Sequence, residues 1–350
     1  MPLSKELREK VQLDLLKQID IGKLSIEKTA REHKVSRQTV YRYIQNLLSQ
    51  RILKELDSEK NKRKQYQLAE YKQNYSYNIK SNLAEDIIWR QDIAPFCHLL
   101  PPQAIKKAHF VFTEIMNNAI EHSEGKKIDV ILSKTQLNLF MSIADDGVGI
   151  FQKIQTSLNL PEKSFSILEL AKGKLTTDPD THTGEGIFFS SRIADSFAIF
   201  SDELSFLSGL GENQSIPDTL FINKTRNLPG TDVCVKIYFD NTTGINDVFR
   251  KYTEHPEHIS FSATQVPVAL LEYGTKNPIL VSRSEAKRLL SRCERFSRIT
   301  LDFAGVEDMR QGFADEVFRV FPNFHPDCKL EVINCNAQIE AMITYVKNRK

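Results

Sequence analysis

Residues 114 to 122, EIMNNAIEH, end a longer run of helically spaced apolar residues that begins at Ala104. Glu114 and Asn118 are four positions apart, so on a helix they share one face. The amide oxygen of Asn118 suits Mg²⁺, which prefers hard oxygen ligands and fills its remaining positions with phosphates and water. A carboxylate one turn earlier could position or deprotonate a group that attacks a γ-phosphate. Taken alone, the pattern is more often an ordinary polar helix face.

A second motif, DDGVGI at residues 145 to 150, follows a segment with strand periodicity. A carboxylate at the end of a strand, here Asp145, can accept a hydrogen bond from an exocyclic amine such as that of adenine. Gly147 and Gly149 let the backbone approach a ligand without interference from a Cβ atom. An Asp-Gly turn, the commonest use of these residues, is the alternative.

A third motif, TGEGIFFSSR, occupies residues 183 to 192. Its glycines precede a helix predicted from Gly186 to Phe197, and the free N–H groups at the start of a helix bind phosphate. For a single Gly-x-Gly, a loop that only needs flexibility is the alternative.

In this order and spacing, the motifs resemble the N, G1 and G2 boxes of the GHKL ATPases, which include gyrase, Hsp-type chaperones, sensor histidine kinases and mismatch-repair proteins. The resemblance covers roughly residues 85–240 and implies an α/β sandwich, the Bergerat fold, that binds ATP and Mg²⁺. It implies that Asp145 binds adenine, Asn118 holds Mg²⁺ and Glu114 is catalytic. Phe151 to Thr183, which we expect to be loop-rich, would be the lid over the nucleotide. The ATP-binding residues implied are Asn118, Asp145, Gly147, Gly149, Thr183, Gly184, Gly186 and Thr231.

The branch of the superfamily matters for function. A sensor kinase needs a phosphoacceptor histidine on a dimerisation helix, and His98 lies just before Pro101 and Pro102 in an unsuitable context. The arrangement that ends at His122 resembles the anti-sigma-factor serine kinases more closely, and Gly230-Thr231 resembles the strand entry that closes the adenine pocket in the histidine-kinase branch. A two-component sensor is therefore disfavoured.

The N-terminal residues form a basic module. Residues 1–65 carry 16 Lys and Arg against 9 Asp and Glu, a net charge of +7, whereas the whole chain carries +2. The apolar spacing predicts three helices, with Ser36 as the N-cap of the third, followed by two short strands at Ile52 to Leu56 and Gln65 to Leu68. This order resembles a winged helix-turn-helix. The resemblance places five residues of the third helix against DNA: Ser36, Arg37, Gln38, Thr39 and Arg42.

The C-terminal segment alternates strands and helices, which indicates a small sheet with parallel pairings. The residues ITLDFAGV at 299 to 306 and GFADE at 312 to 316 resemble STAS-like domains. Anti-sigma-factor antagonists keep a phosphorylatable serine at the start of the equivalent helix, but Met309-Arg310-Gln311 stands there. The segment is therefore interpreted as a docking or sensing module for a protein partner.

The sequence predicts a multidomain α+β protein: a winged helix-turn-helix at residues 1–70, a linker at 71–84, the GHKL domain at 85–242 and the STAS-like α/β domain at 255–350. No apolar run approaches the roughly 20 residues that span a bilayer, which argues against a membrane partner. Scattered cysteines without metal-ligand spacing and the absence of a secretory signal lead us to expect a cytoplasmic protein.

Two functions remain open at this stage. The first is a bacterial transcriptional or signalling regulator that binds DNA and responds to Mg-ATP. The second is an enzyme, either a protein serine kinase or an ATPase of an anti-sigma-like partner-switching system. Helix-turn-helix regulators commonly bind DNA as dimers, and that analogy is the basis for expecting a homodimer.

Overall fold

The computed structural model of the 350-residue chain describes residues 4–56, 64–80, 82–175, 184–209, 219–222, 228–253, 261–272 and 278–349. These residues form two compact units. The first combines Met1–Asn74 with Ile131–Phe140 and Tyr238–Asp240, and the second contains the rest of the chain. Among the helices in these ranges, none combines the length and the apolar character needed to cross a membrane.

The first unit begins with three helices and a hairpin. Apolar residues of the first and third helices form the core of this unit. Val11 and Leu15 of the first helix, and Val40 and Ile44 of the third, are completely inaccessible to solvent. Ser36 caps the third helix, since its hydroxyl oxygen accepts the N–H of Thr39 at 3.1 Å. The predicted N-cap is thus confirmed. The elements are α1 (Lys5–Asp20), α2 (Ile26–Glu32), α3 (Arg37–Ser49), β1 (Leu53–Leu56) and β2 (Gln65–Leu68).

The lysine- and arginine-containing stretch between β1 and β2 is described only in part. Lys60, Lys62 and Arg63 lie outside the described residues. Lys64, at the start of the returning strand, forms an ion pair of 2.9 Å with Glu55. The two strands are antiparallel, with Leu53 opposite Leu68, and both of these leucines join the helical core.

The end of α1 contacts two strand ends that belong to the same unit. Asp20 accepts hydrogen bonds from the Tyr238 hydroxyl at 2.9 Å and from the Asn138 side-chain amide at 3.4 Å. Lys17 forms an ion pair with Asp240. Leu137 joins the apolar core of the three helices.

A seven-stranded sheet contains residues of both units, in the order β3-β4-β5-β9-β6-β7-β8. Its pairings of β7 with β6 and β8, and of β6 with β9, are antiparallel. The strands are β3 (Tyr71–Asn78), β4 (Lys127–Lys134), β5 (Asn138–Asp145), β6 (Ser196–Asp202), β7 (Leu204–Ser208), β8 (Thr219–Ile222) and β9 (Leu228–Tyr238).

The linker predicted at residues 71–84 is wrong for its first part, because Tyr71–Asn78 is the strand β3 at one edge of this sheet. Half-buried Gln73, Tyr75 and Tyr77 alternate with exposed residues. Tyr75 and Tyr77 donate their hydroxyl hydrogens to Asp92, at 3.0 Å to its backbone oxygen and at 2.8 Å to its carboxylate. The period of two was hidden because the inward side chains are amphipathic rather than apolar.

The second unit also contains helices that precede, interrupt and follow these strands. The longest, α6, has a continuous buried face that includes Ala104, Val111, Phe112 and Ile115, as its predicted apolar spacing requires. A turn of π-helix, Trp89–Ile93, joins the first two of these helices. The helices are α4 (Glu85–Ile88), α5 (Ala94–Cys97), α6 (Pro102–His122), α7 (Ile150–Leu158), α8 (Phe165–Lys172), α9 (Gly186–Ile193) and α10 (Ile245–Lys251).

Two corrections follow for the predicted loop and helix in this region. The stretch from Phe151 to Thr183 is not loop-rich in its described part, because it contains α7 and α8. Every residue of α8 is buried, so the segment lacks the one-sided periodicity that identifies a surface helix. The helix predicted from Gly186 to Phe197 ends at Ile193, and Phe197 belongs to β6.

The C-terminal residues form a small α/β layer. Three parallel strands in the order β10-β12-β14 confirm the predicted parallel pairings, and β11 pairs with β13, also in parallel. Residues 311–324 form α12, a π-helical turn and α13 in succession. The elements are β10 (Ala263–Pro267), β11 (Ile279–Leu280), α11 (Arg283–Leu290), β12 (Arg298–Asp302), β13 (Asp308–Met309), α12 (Gln311–Asp315), α13 (Phe321–Phe324), β14 (Lys329–Ile333) and α14 (Ala337–Lys347).

Candidate functional site

One face of α6 lines a cleft in the second unit. Glu114 and Asn118 lie on this face, as their four-residue spacing predicts, and both are half-buried. Ile115 and Ala119 add apolar surface beside them, and His122 lies at the end of the helix. The cleft therefore offers a carboxylate and an amide oxygen on one wall.

Asp145, the last residue of β5, stands on another wall of the cleft. Its Oδ1 atom accepts the backbone N–H groups of Gly147 at 2.9 Å and of Thr231 at 3.3 Å. Burial raises the pKa of Asp145 above its ordinary value, and these two hydrogen bonds oppose the effect in part. Because both bonds end on Oδ1, Oδ2 is the oxygen that can face a ligand.

Thr231 joins two parts of this wall. Its backbone N–H reaches Asp145, while its hydroxyl oxygen accepts the N–H of Ile150, the first residue of α7, at 2.9 Å. Gly149, which lies between Asp145 and Ile150 in the sequence, also lines the cleft. The strand β9 and the loop after β5 are thereby held together around the carboxylate.

The third wall is the start of α9. Gly184 and Gly186 line the cleft, and α9 begins at Gly186 with Glu185 as its N-cap. A Cβ atom at Gly186 would collide with the carboxylate of Glu114, so the absence of a side chain lets these two groups meet. The N–H groups of the first turn of α9 form the kind of site at which phosphate binds.

Residues 87–204, which include Glu114, Asp145 and Gly186 but not Thr231, match the model of the histidine kinase-like ATPase domain. This segment is a GHKL-type ATPase domain. A second match, to a STAS-like domain of unknown function, covers residues 285–340. Among curated proteins, no match to this chain is found. A GHKL ATPase domain implies the binding of ATP, and usually of Mg²⁺.

The structure brings together most of the residues that the sequence predicted for the ATPase domain. Gly147 is not among the residues that line the cleft, and its link to the site is its hydrogen bond to Asp145. Thr183 lies outside the described residues. Seven predicted residues line the cleft itself: Glu114, Asn118, Asp145, Gly149, Gly184, Gly186 and Thr231.

Further residues also line the cleft of the ATPase domain, and Lys153 and Leu175 are two that lie outside the three sequence motifs. Lys153 donates to the backbone oxygen of His122 at 2.6 Å and pairs with Glu124 at 2.9 Å. Lys153 lies four residues after Gly149, so a prediction of α7 would have placed it one turn into the helix. Burial is the main cause that raises the pKa of Glu185, and the negative charge of Glu114 adds to it, while Lys174 opposes both.

The donor set of the ATPase cleft fits a hard cation. The amide oxygen of Asn118 and the carboxylate of Glu114 are oxygen ligands of the type that Mg²⁺ accepts, and one or two protein oxygens suffice when nucleotide phosphates supply the others. Asn118 would hold the ion, as the resemblance implies, and the bound Mg²⁺ would neutralise phosphate charge.

The five residues predicted to contact DNA lie at the start of α3. Arg37, Gln38 and Arg42 are exposed, and Arg37 forms an ion pair of 3.1 Å with Glu27. The hydroxyl groups of Ser36 and Thr39 lie 2.9 Å apart and are engaged with each other in the helix cap. Exposed Tyr41 lies beside Arg42 and was not predicted.

Proposed function

We propose that this chain is an ATP-responsive, DNA-binding regulator of transcription. In this proposal Mg-ATP binds in the cleft of the ATPase domain, the N-terminal module binds DNA, and nucleotide changes the affinity for DNA. The STAS-like domain serves as a docking or sensing module for a protein partner, and the regulator binds DNA as a homodimer.

The assignment of ATP is supported by the position of each polar group in the cleft. Asp145 presents a carboxylate oxygen to an adenine amine, Asn118 presents an amide oxygen to Mg²⁺, and the first turn of α9 presents N–H groups to the phosphates. These three functions need different chemical groups, and each group occurs on its own wall of the cleft.

The assignment of DNA is supported by the exposed face of α3. Arg37, Gln38 and Arg42 provide the donors and acceptors that read base edges and phosphates. The net charge of +7 on residues 1–65 supplies attraction to a polyanion. The helix carrying these residues packs through Val40 and Ile44, so its opposite face is left for a partner.

The regulatory proposal is supported by the strands β5 and β9, because each has residues in both units. β5 begins at Asn138, which is hydrogen-bonded to Asp20 of α1, and ends at the adenine ligand Asp145. β9 contains Thr231 at the nucleotide site and ends at Tyr238, whose hydroxyl also donates to Asp20. A shift of either strand on ATP binding would therefore reach the N-terminal module.

The test is a titration of a fixed duplex DNA with the full chain, followed by fluorescence anisotropy, with and without Mg-ATP. A switch requires nucleotide to favour one arrangement over another, because equal affinity for both shifts nothing. The proposal predicts a DNA dissociation constant that changes with Mg-ATP. DNA binding that is identical in both conditions would remove the regulatory role and leave the ATP site intact.

A second candidate function, protein serine kinase or ATPase, is favoured by the contact between Glu114 and Gly186. This contact places a carboxylate at the helix start where the phosphates would bind, and binding alone does not require it. Incubation with γ-labelled ATP distinguishes the outcomes, because transfer to protein indicates a kinase, free phosphate indicates an ATPase, and neither indicates a sensor.

Replacement of the carboxylate tests the enzyme more closely. Glu114→Gln would lower the rate of transfer or hydrolysis by roughly 10²- to 10⁴-fold if Glu114 is a general base, with little change in ATP affinity. Glu121→Gln, an exposed carboxylate later in the same helix, is the matched control. Equal turnover in wild type and Glu114→Gln would refute a catalytic role for this carboxylate.

A further inference from the structure

The helix α8 connects the nucleotide cleft with the C-terminal domain. Leu170 lines the cleft, and two residues later Lys172 is only 1% exposed. At the other end of α8, the guanidinium of Arg288 lies 3.9 Å from the ring centroid of Phe165. Arg288 belongs to α11 of the C-terminal domain, so that domain covers α8 at both ends.

Lys172 uses its ammonium group to bind the C-terminal domain. Its Nζ donates to the carboxylate of Glu169 at 2.6 Å, to the backbone oxygen of Arg288 at 3.0 Å and to that of Ser291 at 2.9 Å. The two backbone oxygens lie at the C-terminal end of α11, where carbonyl groups lack helical partners and the helix dipole favours a cation. All three hydrogens of the ammonium therefore have acceptors.

The residues after α8 are fixed by further bonds to the same domain. Thr264 donates its hydroxyl hydrogen to the backbone oxygen of Lys172 at 2.7 Å. Arg292 donates to the backbone oxygen of Lys174 at 2.9 Å and lies 3.7 Å from Glu169 as an ion pair. Lys174 in turn donates its Nζ hydrogen to the backbone oxygen of Arg295 at 2.9 Å.

Residues 172–174, which make these bonds to the C-terminal domain, are also constrained sterically. Gly173 has a φ of +83°, and a Cβ atom there would lie 2.8 Å from the rings of Phe188 and Phe261. Lys174 and Arg292, which bond to each other, also have positive φ values of 51° and 66°. Non-glycine residues adopt this conformation at an energetic cost, which the bonds between the two domains help to offset.

Leu175 connects residues 172–174 with Gly184, one of the glycines predicted to bind phosphate. The N–H of Leu175 donates to the backbone oxygen of Gly184 at 3.1 Å, and both residues line the cleft. Gly184 packs so closely on the backbone of Leu175 that it has no room for a side chain. Any displacement of residues 172–175 would therefore move Gly184, two residues before α9 begins.

We propose that the C-terminal domain positions Gly184, at the predicted phosphate-binding site before α9, through Lys172, Thr264 and Arg292. The nucleotide site is then complete only when the C-terminal domain is in place, and a partner that moves this domain alters the affinity for ATP. The three side chains are positioning residues, because they act on Gly184 through residues 172–175. This inference rests on the ATP binding proposed above.

The test compares Mg-ATP with adenosine, since both reach Asp145 and only ATP has phosphates. Dissociation constants are measured by calorimetry for the full chain as wild type, Lys172→Met and the nearly isosteric Thr264→Val. We expect ATP affinity to fall by roughly 2- to 30-fold in the variants while adenosine affinity is unchanged. Lys329→Met, which removes an exposed ion pair with Glu331 in the same domain, is the control and should match wild type.

The ratio of the two affinities separates positioning from a general structural role. An equal loss of affinity for ATP and adenosine, or an unchanged ratio in folded variants, would overturn the inference. Should Lys172→Met fail to fold, Thr264→Val decides, because it removes one hydrogen bond without a large change in shape. If wild type binds adenosine but not Mg-ATP, or binds neither, the proposed function and this inference both fail.

Discussion

The backbone N–H of Thr231 donates a hydrogen bond of 3.3 Å to Oδ1 of Asp145, which fastens the carboxylate at the end of β5 to the adjoining strand β9. A second donor, the N–H of Gly147, reaches the same oxygen at 2.9 Å. The carboxylate is thereby oriented before any ligand arrives, and an oriented acceptor loses little freedom on binding.

Asp145→Asn should lower the affinity for ATP by roughly 10- to 100-fold, because an amide oriented by the same two N–H donors turns its NH₂ group toward the adenine amine. The matched control is Asp146→Asn. Asp146 accepts the N–H groups of Lys126 and Lys127 through one oxygen, which an asparagine can also supply. Calorimetry should separate the two variants. Equal ATP affinity in Asp145→Asn and Asp146→Asn would contradict the adenine assignment.

The raised pKa of Asp145 predicts a pH-dependent difference in stability. Burial, its main cause, lifts the pKa above 3.8, so folding favours the protonated carboxyl. This contribution is full below pH 3.8 and is lost as the pH rises through the pKa of the folded protein. Since asparagine does not ionise, wild type should lose stability relative to Asp145→Asn between acidic and neutral pH. Urea unfolding of both proteins across this range checks the sign. A wild type that gains stability relative to Asp145→Asn as the pH rises would contradict the prediction.

Asn118→Ala should abolish the gain in nucleotide affinity that Mg²⁺ provides, because the amide oxygen of Asn118 is the proposed protein ligand of the ion. Titrations with ATP in the presence of Mg²⁺ and of a chelator would give different dissociation constants for wild type and similar ones for the variant. Thr113→Ala is the control, since Thr113 lies on the same helix with its hydroxyl bonded to the backbone of His109 at 2.9 Å. An unaltered magnesium effect in Asn118→Ala would exclude this ligand.

Arg42→Ala should weaken the binding of duplex DNA and reduce the slope of log affinity against log salt by about one, as expected for one lost phosphate contact. Lys10→Ala removes the same charge from α1, where Lys10 is exposed and pairs with Glu6 at 2.8 Å. Anisotropy titrations at several salt concentrations distinguish the two positions. An Arg42→Ala variant with the wild-type affinity and slope would contradict the predicted contact of Arg42 with DNA.

Local signals in the sequence predicted much of the fold and placed several of the residues that line the cleft. Ser36 is found as the cap of α3, and the apolar positions of α1 and α6 are buried, because capping and helical periodicity depend on residues close in the chain. Likewise, glycines and carboxylates next to strand and helix ends indicated where Asp145 and Gly186 would lie.

Features that depend on distant residues were not predicted. β3 has few apolar residues, and its inward tyrosines gain partners only when Asp92 packs against them. α8 is covered on every side, so its sequence shows no exposed face. The bonds of Lys172 to Arg288 and Ser291 join residues more than a hundred positions apart, and no local pattern records such a contact.

The most direct test of the central claim is calorimetric titration of the folded full chain with ATP in the presence of Mg²⁺. The arrangement of Asp145, Asn118 and the first turn of α9 predicts a saturable heat of binding that disappears or weakens greatly in Asp145→Asn and persists in Asp146→Asn. A wild-type chain that melts cooperatively yet releases no heat with millimolar nucleotide would contradict the claim.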